Sequence, residues 1–136
     1  MSTGEQLEYK TTVADEHWRE EEFQWARILS AGHPARGMVL LYIQKACTAF
    51  HEFEPAWKQG ALHGGEIGFF RRRLAKRILH VLTTMENNGL DGIEGTAGLK
   101  EILSTVESSK TGDELAELSE KLHMVNHKLL DSLEGL

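Results

Sequence analysis

Histidines are the first residues in this sequence that could do chemistry, because the chain has seven of them in 136 residues. An imidazole titrates near neutral pH, transfers protons and binds transition metals. His123 and His127 follow Glu120 at intervals of three and four residues. On a helix, that spacing places all three side chains on one face. Glu120, His123 and His127 therefore form a candidate metal site.

The surrounding sequence argues against a dinuclear metal centre. Helical bundles of that type carry a Glu-x-x-His motif on two helices, and no other histidine here is preceded by a glutamate at that distance. The heptad register set by Leu115, Leu122 and Leu129 also turns His123 and its neighbours toward solvent. We therefore expect solvated histidines and no cofactor, and keep a His-carboxylate metal or cofactor-binding bundle as an alternative.

A basic segment between residues 71 and 80 is the second candidate for chemistry. It contains four arginines, one lysine and His80. Arg73, Arg77 and His80 fall on one helical face, and the first and last are roughly 10 Å apart along the axis. Guanidinium groups bind phosphate oxygens, and an imidazole can act as a general acid or base. This pattern predicts an anion- or phosphate-binding site at Arg73, Arg77 and His80.

The interval between Arg73 and His80 is similar to that of the Arg–His motif in the HEPN ribonuclease-like helical bundles. The resemblance implies that His80 would move protons and that Arg73 would stabilise phosphate charge. It covers two residues and the helix count, and Leu74 stands where that family usually has a polar residue. A phosphate-directed, HEPN-like ribonuclease or RNA-binding bundle is therefore an alternative function. We assign no catalytic residue.

The charge of the chain is unevenly distributed. The formal net charge is −6, which argues against general nucleic-acid binding because phosphate backbones attract positive surfaces. Residues 13–22 carry a net charge of −4, whereas residues 66–80 carry +4. Complementary charges steer and orient protein association. The two segments therefore favour a protein partner or a second copy of the chain.

The periodicity of the apolar residues predicts helices throughout and no strand. We expect long helices at about 13–30, 34–54, 66–87 and 111–133, and a short one at 99–108. Pro55 is expected to end the second helix, and Thr111 with Glu114 fits a capping box. Residues 1–11 are predicted to be a loose leader and residues 88–98 a glycine-rich linker. The prediction is a single all-α domain over residues 1–136, an antiparallel up-down bundle of four long helices plus one short helix.

The second predicted helix, residues 34–54, is apolar around most of its circumference. Its main stripe is accompanied by further apolar residues on other faces, so other helices or another subunit must cover it. Met124 and Leu130 on the last helix are predicted to face outward and to form part of an interface. The main stripe consists of Val39, Ile43, Ala46, Phe50 and Phe53.

The sequence offers no feature of secretion or membrane insertion. The N-terminus is polar, and the longest wholly apolar run is much shorter than the roughly 20 residues that cross a bilayer. A single cysteine, Cys47, cannot form an intramolecular disulfide. We therefore expect a cytoplasmic protein. The leading hypothesis is a protein-binding adaptor or regulator that acts as a homodimer and is not an enzyme.

Overall fold

A computed structural model describes residues 23–30 and 34–136 of the chain. Residues 23–30 are helical and are called α1. They are followed by α2 (Pro34–Lys58), a short 3-10 turn (Gly64–Glu66), α3 (Ile67–Asn87), α4 (Thr96–Ser108) and α5 (Gly112–Gly135). The predicted leader and most of the predicted first helix lie outside the described residues. Over the described ranges the protein is all-α, as predicted.

Helices α2, α3, α4 and α5 form a ring around one apolar core. Contacts link α2 to α3, α3 to α4, α4 to α5 and α5 back to α2. Tyr42 near the start of α2 contacts His80 late in α3, and Glu52 contacts Arg73 earlier in α3. These two pairs show that α2 and α3 run antiparallel. The arrangement is compatible with the predicted up-down bundle, and the shortest of these four helices, α4, is one of its members.

The apolar stripe of α2 supplies the centre of this core. Its buried positions recur at intervals of three and four residues, which keeps them on one side of a helix. Each fully buried Val, Ile or Phe side chain stabilises the fold by about 1.5–3 kcal/mol. All five predicted residues are buried: Val39, Ile43, Ala46, Phe50 and Phe53.

The prediction that α2 is covered on nearly every side is only partly correct. Met38 remains 45 % exposed and Leu41 50 % exposed. Leu41 lies on the side of α2 opposite the buried stripe, and Met38 lies between that side and the flank that carries Tyr42. Met38 and Leu41 therefore remain exposed apolar residues of α2.

The prediction that Pro55 ends α2 is wrong, because the helix continues to Lys58. Proline removes one amide donor and crowds the carbonyl one turn earlier. That carbonyl belongs to His51, which lies on the exposed side, so water can replace the missing donor. Beyond the proline, Trp57 stacks on Phe53 and its indole nitrogen donates to Asp113 Oδ1 at 2.7 Å. These contacts hold the last turn of α2 against the start of α5.

The glycine-rich connection before α4 is shorter and more closely packed than predicted. Helix α4 begins at Thr96 rather than Leu99. Gly95 precedes it with φ of 101°, and a Cβ there would lie 2.9 Å from Leu129 Cγ. Only glycine combines that backbone angle with so close an approach. The short helix then packs on the core through Leu99, Ile102 and Val106.

The predicted cap of α5 is confirmed, with one difference. The Thr111 hydroxyl accepts the Glu114 amide at 3.2 Å, as a helix N-cap requires. The Glu114 carboxylate accepts from the Lys110 amide at 3.1 Å rather than from the amide of Thr111 itself. Two backbone donors at the start of α5 are therefore satisfied by side chains.

Gly112 sets the distance between the ends of α2 and α5. A methyl group at this position would overlap the Trp57 indole, so Gly112→Ala must displace a ring that is stacked and hydrogen-bonded. We expect this variant to lower the free energy of unfolding by about 1–3 kcal/mol, the usual cost of overpacking. Urea denaturation measures it. Gly135→Ala, which meets nothing within 4 Å, is the control and should be nearly neutral. A Gly112→Ala variant as stable as the wild type would contradict the packing described here.

Candidate functional site

One face of α3 carries a continuous row of cations. Four cationic side chains at intervals of one, three and one residues follow one line of the helix, Phe69 precedes them by one turn, and His80 follows them by one turn. Among the described residues, the row lines an open cleft of about 420 Å³. Its members are Phe69, Arg72, Arg73, Lys76, Arg77 and His80. The three residues predicted for anion binding, Arg73, Arg77 and His80, are therefore brought together on one surface.

Helix α2 adds residues that the sequence analysis did not identify. The Tyr42 ring meets the His80 imidazole edge-on, with centroids 5.8 Å apart. Lys45 Nζ lies 5.7 Å from the centroid of the same tyrosine ring. Glu52 Oε2 lies 3.6 Å from Arg73 Nη2. We call this region the cationic surface; it comprises Lys45, Arg72, Arg73, Lys76, Arg77 and His80.

The cationic surface contains far more positive than negative charge. Glu52 is the only carboxylate of the described residues that pairs with one of its cations. That pair is long and both side chains are largely exposed, so it contributes at most about 1 kcal/mol. The described residues therefore leave most of the charge of this surface unpaired.

Arg71, although it begins the basic segment, has a structural role. Its Nη1 donates to the Ser109 carbonyl oxygen at 2.9 Å, in a partly buried contact between α3 and the end of α4. Ser109 is itself buried. The bond satisfies a carbonyl at the C-terminal end of α4, where no helical donor follows. Arg71 therefore does not belong to the cationic surface.

The second predicted site, on α5, differs from the expectation of solvated side chains. His123 and His127 are half-buried rather than fully exposed. Their Nε2 atoms lie 3.0 Å apart, and the two rings are perpendicular with centroids 4.4 Å apart. Glu120 is exposed and does not join them: the described residues contain no group of three potential metal ligands.

The heptad register placed these histidines in solvent because it assumes a helix with one buried seam. Helix α5 is covered by other helices on more than one side. It packs against α2 and α4, and α1 lies along its second half, where Gln24 Nε2 donates to Asp131 Oδ1 at 2.6 Å. Arg27 makes an ion pair with Glu134 in the same region. A heptad pattern with only two inward positions underestimates such a surface.

The additional coverage of α5 also explains why one of the two predicted interface residues is buried. Leu130 is 0 % exposed, so its predicted outward position is wrong. It lies one turn before Glu134, on the side of α5 that α1 covers. Met124 is 60 % exposed, as expected, and its part in an interface stays a prediction.

A different apolar patch is exposed where α1 meets α2. A Cβ at Gly37 would lie 3.3 Å from Leu29 Cδ2, which places Leu29 beside the first turns of α2. Leu41 lies one turn after Gly37, and Met38 lies next to it; all three apolar side chains are exposed. Met38 and Tyr42 are also one turn apart on α2. The apolar patch, Leu29, Met38 and Leu41, is therefore adjacent to the cationic surface.

A cleft of about 520 Å³ between α2 and α5 has a different character, because its charges are mixed. Lys58 Nζ lies 2.6 Å from Glu54 Oε1. The hydrogen bond from Lys58, with a further one from Ser119, lowers the pKa of Glu54. Four carboxylates outnumber two lysines in the lining of this cleft, so it does not attract an anion as the cationic surface does.

Comparison with known proteins identifies no relative: no family model, curated protein or solved structure matches this chain. The described helices include none with the length and apolarity needed to cross a bilayer. The site must therefore be interpreted from its own geometry.

Proposed function

We propose that this chain is a non-enzymatic protein-binding module that forms a homodimer through its cationic surface. The observation that carries the proposal is the row of cations on α3, with Lys45 of α2 beside it and Glu52 as the single acid among the described residues that pairs with it. The occupant is residues 13–22 of a second copy, whose net charge is −4. Charge complementarity of this kind orients two proteins and accelerates their encounter.

The apolar patch supports association at the same place. Leu29, Met38 and Leu41 are exposed next to the cationic surface, and adjoining apolar area supplies affinity that surface charges alone do not. Stable interfaces have an apolar centre and a polar or charged rim. The patch and the cationic surface together present that combination on one side of α2.

Nucleic acid is a less suitable ligand for this surface. The chain carries a net charge of −6, so a polyanion that approaches the cationic surface is repelled by the rest of the molecule. Glu52 lies within the surface and would oppose a phosphate at Arg73. We place the protein in the cytoplasm, since Cys47 requires no oxidising compartment.

A charge exchange between two variants tests the proposal. Arg73→Glu with Arg77→Glu cancels the net positive charge of the cationic surface taken together with Glu52, and Glu20→Lys with Glu21→Lys cancels the net charge of −4 on residues 13–22. Size-exclusion chromatography with light scattering should show a dimer for the wild type at micromolar concentration. Each double variant should be monomeric, with a dissociation constant raised by about 10-fold or more. An equimolar mixture of the two should form dimers again, because the unchanged acidic segment of the first variant meets the unchanged cationic surface of the second.

Lys100→Glu with Lys110→Glu is the matched control, since it changes the net charge equally on exposed positions of α4 and the α4–α5 turn. It should remain dimeric. A monomeric wild type, or a mixture that does not recover the dimer, would contradict the proposal. Binding of a single-stranded RNA oligomer at physiological salt that is lost in the Arg73/Arg77 variant would instead establish the nucleic-acid alternative.

Glu52→Gln provides a separate prediction. Removing the one acid of the cationic surface should strengthen dimerisation by roughly 2–5-fold, because Arg73 no longer has a competing partner. The free energy of unfolding should change by less than about 0.5 kcal/mol, as is usual for an exposed pair. Sedimentation equilibrium and urea denaturation measure the two quantities. Glu101→Gln, an exposed acid on α4, should change neither. Weaker dimerisation of Glu52→Gln would oppose the proposal.

A further inference from the structure

We infer that His123 and His127 bind one divalent transition-metal ion, with zinc as the typical case. This site is independent of the cationic surface, because it lies on α5 and uses different residues. The two imidazoles stand one turn apart near the middle of α5, and both are half-buried. Imidazole nitrogen is a preferred ligand of zinc, copper and nickel.

The spacing of the two nitrogens carries the inference. Their Nε2 atoms are 3.0 Å apart. Two nitrogens bound to one zinc ion at about 2.0–2.1 Å in tetrahedral geometry stand roughly 3.3–3.4 Å apart. In an octahedral ion with bonds of the same length the separation is about 2.9 Å. The observed distance lies between the two, so small rotations of the rings bring both lone pairs onto one ion.

The helix holds the pair in place before any metal arrives. Leu122 and Leu129, on the opposite side of α5, are buried. The Thr111 cap also fixes the start of the helix. Because the backbone between the two histidines is already helical, little conformational freedom is lost on chelation. Linking two weak ligands in this way raises affinity by about 10²–10⁴ over either one alone.

The chemistry of the pair defines the state that binds. In the 3.0 Å contact one Nε2 donates a hydrogen bond and the other Nε2 accepts it. For chelation, both rings are neutral and carry their hydrogen on Nδ1, so that both Nε2 lone pairs face the ion. Water completes the coordination, since no third ligand from the described residues joins the group. Glu120, one turn before His123, adds a negative charge that favours the cation.

Isothermal titration of the untagged full-length chain with zinc chloride tests the inference. The wild type should bind one zinc ion per chain, and magnesium, which prefers oxygen ligands, should not bind. His123→Ala and His127→Ala should each raise the zinc dissociation constant by about 100-fold. His63→Ala, at an exposed position outside α5, is the matched control and should keep the wild-type value.

Loss of the fold in a variant is distinguished from loss of a ligand by circular dichroism. His123→Gln offers a second variant that retains a polar side chain of similar size and removes the imidazole nitrogen that would bind the metal. If folded His123→Gln and His127→Ala bind zinc as tightly as the wild type, the inference is overturned. Binding of less than about a tenth of an equivalent by the wild type at millimolar zinc would overturn it as well.

Discussion

Burial of the α2 stripe between α3 and α5 is the interaction on which the rest of the structure depends. Five apolar residues of one helix, from Val39 to Phe53, have almost no contact with water, and the helix that carries them packs against both α3 and α5. Each such side chain stabilises the fold by about 1.5–3 kcal/mol. Together they contribute an amount comparable to the whole net stability of a small domain. The rotation of α3 and of α5 about their own axes is therefore fixed, because each must turn its apolar side toward α2.

The position of both candidate sites follows from that rotation. Helix α3 buries Leu74, Ile78 and Val81 in the core, so the arginines between them must point away from the core. They emerge beside α2, which adds Tyr42 and Lys45 to the same surface. In α5, the leucines face the core, so His123 and His127 lie at the edge of the core, where the two imidazoles contact each other. Neither site needs a loop or a strained backbone.

The sequence predicted the parts of this structure that depend on local periodicity. The helices, the α2 stripe and the Thr111 cap follow from residues within a few turns of one another. It failed where several helices act together: α1 covers Leu130, and contacts to α5 carry α2 past Pro55. The cations of α3 were foreseen, but their neighbours on α2 were not. Those neighbours depend on which helices adjoin, and a single helical pattern contains no such information.

The central position of α2 can be measured directly by hydrogen exchange of the backbone amides in the native protein. If α2 is the helix on which the others pack, its amides over residues 39–53 exchange only when the whole molecule unfolds. Their exchange free energy should then equal the free energy of unfolding obtained from urea. Exchange of these amides at a free energy several kcal/mol lower, while α3 and α5 remain protected, would contradict the account.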